Sequence, residues 1–266
     1  MADIEKLKEQ AREGWGMGDY SALSEMLRPA AQALADACAV SAGQEVLDVA
    51  AGDGNFATVC AHEGARVVAS DLSPGMVERG KARSEAEGYD IEWMEADAED
   101  LPFEDDRFEC VGSVFGAMLA PRPEVVAREL FRVARPGNTV GMTAWLPEGR
   151  AVEMFRVGRK YAPPSDLPSH EEWGREEVVR ERFEGLANSI ETEKRSVSWG
   201  AQSPEEWVDL MERHAPMQAA AKAAMPEDVY ASMREDFVAL AREWAGGDGP
   251  FEVDVDYLLI VARRRG

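Results

Sequence analysis

The chain has 266 residues, of which 45% are hydrophobic, and its 29 basic and 51 acidic residues give a formal net charge of −22. A single chain of this length can bury a full core, so it needs neither disulfide bonds nor a structural metal to fold. The strong negative charge argues against nucleic acid and anionic membranes as partners, because phosphate binding depends on clustered Lys and Arg.

The cysteines and the N-terminal residues predict a cytoplasmic protein. Cys38, Cys60 and Cys110 are odd in number, form no C-x-x-C pair and lie in apolar stretches, which is untypical of a disulfide framework or a zinc site. The N-terminal stretch is charged, and no run approaches the roughly 18 apolar residues of a membrane span. We therefore expect no metal site and no membrane partner.

The first forty residues predict a pair of helices that form an N-terminal helical lid over residues 1–42. A stripe of apolar residues recurs at intervals of three and four in the second helix. It consists of Leu23, Met26, Leu27, Ala30, Ala31, Leu34, Ala35 and Cys38. Before the stripe, glycines interrupt the helix between Trp15 and Tyr20, so these aromatic residues are expected on a mobile turn.

From residue 45 onwards, short apolar strands alternate with helices. The predicted strands are 45–50, 66–70, 91–95, 108–115 and 139–145, and the predicted helices include 73–87 and 123–134. The run Arg135-Pro136-Gly137-Asn138 is typical of the end of a helix. Right-handed crossovers between such elements give a parallel sheet covered on both faces, and we assign this core to residues 43–150.

Beyond Trp145 the pattern is interrupted by prolines, which predicts an inserted helical cap over residues 151–252. The interrupting residues are Pro147, Pro163, Pro164 and Pro168. Helices are predicted at 151–161, at 226–244 and from Ser203 to His214, where the Ser-Pro-Glu-Glu start is typical of a helix N-terminus. The alternating strand 189–199 should lie at the sheet edge, and the apolar strand 257–262 in its interior, within a closing segment 253–266.

Two features at the ends of the first two strands predict a ligand that carries a ribose. The first strand continues into a loop of small residues from Asp48 to Ala57, where a ligand can approach the backbone and an anion can meet free N–H groups. Asp71 ends the second strand, at about the offset where an acidic residue accepts both ribose hydroxyls. The loop also fits the G-x-G-x-x-[GA] dinucleotide fingerprint, and a tight turn and a capping Asp are the purely structural alternatives.

Four motifs follow one another over about a hundred residues. They are Val46 to Gly54 (VLDVAAGDG), Ser70 to Met76 (SDLSPGM), Ala96 to Phe103 (ADAEDLPF) and Arg132 to Gly137 (RVARPG). Together they resemble the class I S-adenosylmethionine-dependent methyltransferases, and among these the small-molecule enzymes of the ubiquinone and menaquinone biosynthesis type. The resemblance implies an α/β fold with a Rossmann-like, doubly wound sheet of seven strands, mostly parallel, with an antiparallel strand near the C-terminus and a helical lid insertion.

The resemblance also implies a cofactor site for S-adenosylmethionine, with S-adenosylhomocysteine as the product. Asp48 and the loop residues would receive the amino and carboxylate ends of the methionine part, and Asp71, with Leu72 beside it, would hold the ribose diol. The loop residues are Ala50, Gly52, Asp53 and Gly54. The family usually has Gly where this chain has Ala50.

Further residues are implied at the base and at the methyl group. Met76 would lie along the adenine or ribose, or else pack in the core. Asp97 would accept a hydrogen bond from the adenine amino group, and the N–H of Ala98 would meet a ring nitrogen. The site where the methyl group leaves would be lined and closed by Ser113, Val114, Phe115 and Tyr20.

The implied reaction is in-line displacement of the methyl group by O, N or C of a small-molecule acceptor, which depends on alignment. Ser113 and Phe115 offer no carboxylate cluster, so no metal is expected. The residues give no clear general base, and the candidates are His170, His214 and Tyr161. Two alternatives stay open: an NAD-dependent oxidoreductase, which the third and fourth motifs disfavour, and a non-catalytic domain that binds S-adenosylmethionine.

Overall fold

The computed structural model describes residues 4–162 and 167–266. Pro163 and Pro164, which belong to the predicted interruption of the cap, lie outside these residues. The strands are β1 (Glu45–Val49), β2 (Arg66–Asp71), β3 (Ile91–Glu95), β4 (Phe108–Val114), β5 (Ala134–Trp145), β6 (Ala187–Ala201) and β7 (Phe251–Arg264). The α-helices are α1 (Ile4–Trp15), α2 (Ser21–Cys38), α3 (Asn55–His62), α4 (Pro74–Glu87), α5 (Pro123–Val133), α6 (Arg150–Lys160), α7 (Glu176–Arg182), α8 (Pro204–His214), α9 (Pro216–Ala224) and α10 (Glu227–Ala245).

All seven strands form one sheet in the order β3-β2-β1-β4-β5-β7-β6. The first five strands are parallel, while β7 pairs antiparallel with both β5 and β6. The predicted seven-stranded, mostly parallel sheet is therefore confirmed, with β6 at the edge and β7 inside. In the usual dinucleotide-binding sheet, of order 3-2-1-4-5-6, no antiparallel strand is inserted between the fifth and sixth strands.

Two parts of the fold differ from the sequence-based prediction. β5 begins at Ala134, not at residue 139. The expected stop signal, residues 135–138, lies within β5 at a register shift: Phe108 pairs with Ala134, and the next pair is Cys110 with Thr139. The helices α7 and α9 were not predicted. α7 has only seven residues, and the alanine-rich α9 buries no residue except Pro216, so neither shows an apolar stripe.

Close packing on the sheet fixes where the predicted loop lies. Gly112 of β4 leaves space for the ring of Phe56, and a Cβ at this position would overlap that ring. Gly141 of β5 does the same for Cys38 at the end of α2. These approaches bring α2 and α3 close to the sheet, so that the start of α3 lies directly over the ends of β1 and β4.

Aromatic side chains join the sheet to α8. The rings of Phe115 and Trp145 stack with centroids 3.7 Å apart, and Trp199 of β6 and Trp207 of α8 continue the contact. All four side chains are buried. None of the helices in the described ranges has the length and apolar character needed to cross a bilayer.

Candidate functional site

The candidate site lies where the order of the sheet reverses. The chain moves outward from β1 to β2 and β3, and then returns to place β4 on the other side of β1. A crevice forms at such a point beyond the carboxyl ends of the strands, and ligands of open α/β sheets bind there. The predicted loop after β1 and Asp71 at the end of β2 both lie at this edge.

The loop after β1 has a backbone that requires small residues. Gly52 has a φ of 60° and Gly54 a φ of 93°, both in the left-handed region, which glycine adopts without steric cost. Ala50 also lies there, with a φ of 53°. A Cβ on Gly116 would overlap the carbonyl oxygen of Ala50, so two chain segments meet closely at this end of the sheet.

Asp71 links this loop to the start of α4. Its Oδ2 accepts a hydrogen bond from the backbone N–H of Gly52 at 2.8 Å, and its Oδ1 accepts one from the N–H of Ser73 at 2.8 Å. Burial raises the pKa of Asp71 to about 6, although both hydrogen bonds act in the opposite direction. The carboxylate is thus held in place and costly to ionise, and donors from a ligand would stabilise its charge.

Asp48 supplies a second acceptor beneath the loop. One carboxylate oxygen accepts a hydrogen bond from the N–H of Ala57 at 2.9 Å, whereas Oδ1 is buried and has no hydrogen-bond partner in the described part of the chain. Burial raises the pKa of Asp48 well above its usual value. A buried oxygen without a donor is unusual in a folded protein, and it fits a ligand that brings an amino group or another donor to this place.

Asp53, also predicted in the cofactor site, is held by protein groups. Its Oδ1 accepts a hydrogen bond from Ser24 Oγ at 2.6 Å and lies 3.3 Å from Nη1 of Arg83. The same Arg83 atom donates to Asn55 Oδ1 at 3.0 Å. This network fastens the loop to α2 and α4, and sequence reasoning missed Ser24 and Arg83, which no local pattern distinguishes from other helix residues.

At the end of β4, polar contacts fix the chain on the other side of the crevice. Ser113 Oγ donates to the carbonyl oxygen of Val49 at 2.7 Å and accepts from the N–H of Ala117 at 2.9 Å. Phe115 has a φ of 58°, and its N–H donates to Thr143 Oγ1 at 3.0 Å. Ser113 and Phe115 are buried, while Val114 between them is partly exposed. Sequence reasoning missed Thr143.

The outer part of the site is a cleft of about 370 Å³ between α1 and the ends of β2 and β3. It is lined by Glu5, Lys8, Glu9, Arg12, Leu72, Glu95, Ala96, Asp97, Asp100 and Pro102. Asp97 Oδ1 accepts a hydrogen bond from the N–H of Glu99 at 2.9 Å, while Oδ2 lies 2.5 Å from Lys8 Nζ. Leu72 and Asp97 thus line the same cleft, and Lys8 joins them without any signal in the sequence.

Three further predicted residues lie around these groups. The Tyr20 ring covers the loop, 3.5 Å from the position that a Cβ of Gly52 would take. Met76 is buried at the start of α4, with its sulfur 3.8 Å from Arg79 Nη1. Ala98 is also buried. Arg79 of α4 donates to the carbonyl oxygens of Gly16 and Gly18, so the N-terminal turn and α4 meet.

The three candidate bases differ in their surroundings. His214 is engaged through Nδ1 with the carbonyl oxygen of Asp19 at 2.7 Å, and the Tyr161 hydroxyl donates to Asp236 at 3.1 Å. His170 Nε2 is buried and has no hydrogen-bond partner among the described residues, and burial lowers the pKa of this ring. It belongs to the short helix His170–Gly174, which contacts the Ala117–Leu119 turn beyond β4.

The geometry agrees with the chain's similarity to known proteins. Residues 46–137 match the family described as a methyltransferase domain. An uncharacterized protein of Mycobacterium tuberculosis is 41% identical over 168 residues, which are 62% of this chain and 61% of that protein. Another uncharacterized protein of that organism is 35% identical over 261 residues, 95% of this chain and 93% of its own length.

Other matches bear methyltransferase names. A demethylmenaquinone methyltransferase of Clavibacter sepedonicus is 42% identical over 104 residues, 39% of this chain and 42% of that enzyme. The structure of a putative methyltransferase of Bacillus halodurans aligns with a TM-score of 0.59 at 22% identity and covers 89% of this chain and 99% of its own. A phosphoethanolamine N-methyltransferase of Haemonchus contortus, in complex with S-adenosyl-L-methionine, aligns with a TM-score of 0.57 at 19% identity, over 90% of this chain and 53% of that enzyme.

Proposed function

The chain belongs to the class I S-adenosylmethionine-dependent methyltransferases, whose cofactor is S-adenosylmethionine, and from this premise we propose that it methylates a small-molecule acceptor without a metal. The observation that carries the proposal is the pair of buried carboxylates beside the glycine loop, Asp71 held by two backbone N–H groups and Asp48 with one oxygen free. Both would accept hydrogen bonds from one extended ligand.

Different residues of the crevice would bind different parts of the cofactor. Asp71 would accept the two ribose hydroxyls, since a buried carboxylate forms strong hydrogen bonds with paired donors. Asp48 Oδ1 would accept the amino group at the other end of the ligand, and the loop around Gly52 would let the ligand reach the backbone. Bound S-adenosylmethionine supplies an electrophilic methyl group on a sulfonium sulfur.

The residues at the end of β4 would shape the place of methyl transfer. Ser113 and Thr143 hold the backbone of this segment, and the rings of Phe115 and Trp145 give it an apolar wall. Rigid, dry surroundings favour a displacement that depends on alignment of acceptor and methyl group, and positioning of this kind can contribute about 7–11 kcal/mol. His170 remains the candidate for taking a proton from the acceptor, because burial lowers its pKa and favours the neutral ring.

A small acceptor is favoured over a macromolecule by the covered edge of the sheet. On one side α1 lies over the ends of β2 and β3. On the other, the helix containing Gly174 lies so close to the end of β5 that a Cβ there would overlap the carbonyl oxygen of Trp145. The net charge of −22 would also repel nucleic acids. The three cysteines are free and buried, in keeping with a cytoplasmic location.

Calorimetric titration with S-adenosylhomocysteine, S-adenosylmethionine and NAD tests the cofactor assignment. We expect the first two to bind at micromolar concentration and NAD to show no heat. Binding of NAD alone would support the oxidoreductase alternative. Binding of S-adenosylmethionine with no turnover in a screen of small aromatic and polyketide-like acceptors would favour the non-catalytic alternative.

Treatment with EDTA tests the metal-independent mechanism once an acceptor is found. The described residues contain no cluster of three or more His, Cys, Asp or Glu arranged to hold a metal ion. We expect the rate of methyl transfer to be the same before and after the chelator is added and removed. A loss of rate that only magnesium or zinc restores would contradict this part of the proposal.

A further inference from the structure

The helix α1 covers the outer cleft but is held there mainly by charge. It packs against α9 and α4 but contains no buried residue, so these contacts bury little apolar surface. Instead Lys8 pairs with Asp97 and Glu99, and Arg12 pairs with Glu95. The exposed pair of Arg12 contributes little net stability, whereas the Lys8 side chain is only 10% exposed, so Lys8 leaves at modest cost only if other donors replace it on its carboxylates.

The position of Asp71 shows where the base of a bound nucleoside must lie. A ribose held at the end of β2 has the glycine loop on one side, and on the other side it has the end of the neighbouring strand β3. The cleft at this end is lined by Ala96, Asp97 and Pro102. The base would therefore enter the cleft that α1 covers, beside the carboxylate of Asp97.

In the structure that carboxylate is already engaged by a group of the chain itself. Lys8 Nζ lies 2.5 Å from Asp97 Oδ2 and 2.5 Å from Glu99 Oε2, with its side chain only 10% exposed. Burial alone would lower the pKa of Lys8, but the hydrogen bonds to these two carboxylates raise it above its usual value. Lys8 is therefore a charged donor in the place where a base would present its own donor.

The two carboxylates differ in what they lose if Lys8 leaves. Glu99 keeps Arg122, whose backbone N–H and Nε both donate to it, at 2.5 and 2.8 Å. Asp97 keeps the N–H of Glu99 on Oδ1, while among the described residues Oδ2 has hydrogen-bond contact with Lys8 alone. Departure of Lys8 thus frees one carboxylate oxygen, on the wall of the cleft.

We propose that Lys8 is an internal competitor of the cofactor: its ammonium group occupies the carboxylate of Asp97, and the base must displace it, which moves α1. The inference rests on the proposed function, because it assumes that a nucleoside is bound at Asp71. The turn that follows α1 contains Gly16 and Gly18, and Arg79 of α4 donates to both of their carbonyl oxygens. This turn stays anchored as a hinge while α1 moves.

The affinity for S-adenosylhomocysteine measures the competition. This probe has no net charge, so salt acts mainly on the protein. We expect Lys8→Met to bind it about three- to tenfold more tightly than the wild type, since one partly buried ion pair no longer opposes binding. Lys81→Met, the same change at an exposed position of α4, should bind like the wild type. Because the Lys8 side chain is only 10% exposed, raising NaCl from about 0.05 to about 0.5 M should change the affinity of either protein by less than the substitution does.

A second readout follows Lys8 directly. Acetylation by an amine-reactive reagent, mapped by mass spectrometry, should be slow at Lys8 in the free protein and faster at saturating S-adenosylhomocysteine. Equal or weaker binding by a folded Lys8→Met variant, or unchanged protection of Lys8 in the saturated wild type, would overturn the proposal and leave the proposed function standing. Failure of both proteins to bind the probe would overturn the proposed function and this inference with it.

Discussion

The buried carboxylate of Asp71 should make cofactor binding depend on pH near neutrality. Its pKa is raised to about 6, and only the ionised form can accept hydrogen bonds from both ribose hydroxyls. With a pKa of 6, roughly nine tenths of the carboxyl groups are ionised at pH 7 and roughly one tenth at pH 5. The affinity for S-adenosylhomocysteine should therefore fall about tenfold between these two values.

Protonation of Asp71 should weaken cofactor binding but raise the free energy of unfolding, so the two effects can be told apart. A carboxyl group whose pKa is higher in the folded protein than in the unfolded chain favours the folded state when protonated, so this group stabilises the fold as the pH falls through 6. The rise in the pKa of Asp71 from the usual 3.8 to about 6 corresponds to about 3 kcal/mol in the free energy of unfolding. Weaker binding at pH 5 thus cannot come from unfolding driven by Asp71.

Calorimetry of the wild type and of Asp71→Asn between pH 5 and 7 checks this reasoning. The variant should bind more weakly at pH 7 by about 1.5–3 kcal/mol, as expected for hydrogen bonds to a charged group, and its affinity should change little with pH. A residual slope in Asp71→Asn would belong to Asp48, whose pKa is also raised. Affinity of the wild type that is constant from pH 5 to 7, or a full tenfold change in Asp71→Asn, would refute the assignment.

Two further predictions concern the backbone of the loop. Gly52→Val should abolish binding of S-adenosylhomocysteine, measured by calorimetry, while the far-ultraviolet circular dichroism spectrum stays unchanged. The control Gly88→Val should keep the affinity, because Gly88 also has a positive φ, 79°, but lies in open space at the end of α4. Binding by the Gly52 variant would contradict the loop assignment. Ala50→Gly should raise the free energy of unfolding in urea by about 0.5–1 kcal/mol, because alanine is strained at its φ of 53°. Ala51→Gly, where φ is not positive, should lower it by a similar amount, and destabilisation by both changes would argue against strain at Ala50.

The strands and the loop of the site could be predicted because their signals are local. Short apolar runs such as the predicted strands 45–50 and 66–70 alternate with helix signals, and this order predicts a parallel sheet whose strands end at one edge. Gly52 and Asp71 follow neighbouring strands, so their meeting at a hydrogen bond of 2.8 Å is a consequence of the topology. The S-adenosylmethionine cofactor, named from the resemblance of four motifs, is confirmed by the family to which the chain belongs.

Contacts between distant segments could not be predicted in this way. Lys8 meets Asp97 across 89 residues of chain, and Arg83 meets Asp53 only because α4 packs beside the loop. Such pairs depend on the distances between folded elements. From the sequence alone, any other lysine or arginine was an equally good candidate for the partner of each carboxylate. The same holds for the stack of Phe115 on Trp145, which joins the ends of β4 and β5.

The amino-acid sequence by itself determined the class of fold and predicted the edge of the sheet where a ligand would bind and the residue that would hold its ribose, because periodicity and turn chemistry act over a few residues. Only the tertiary structure decided which carboxylates are free to accept a ligand. Asp53 is held by Ser24 and Arg83, and Asp97 is engaged by Lys8. Of these three aspartates only Asp48 keeps a buried carboxylate oxygen that has no hydrogen-bond partner in the described ranges. Identical side chains thus acquire different roles because burial and neighbours, not residue type, set the energy of each charge.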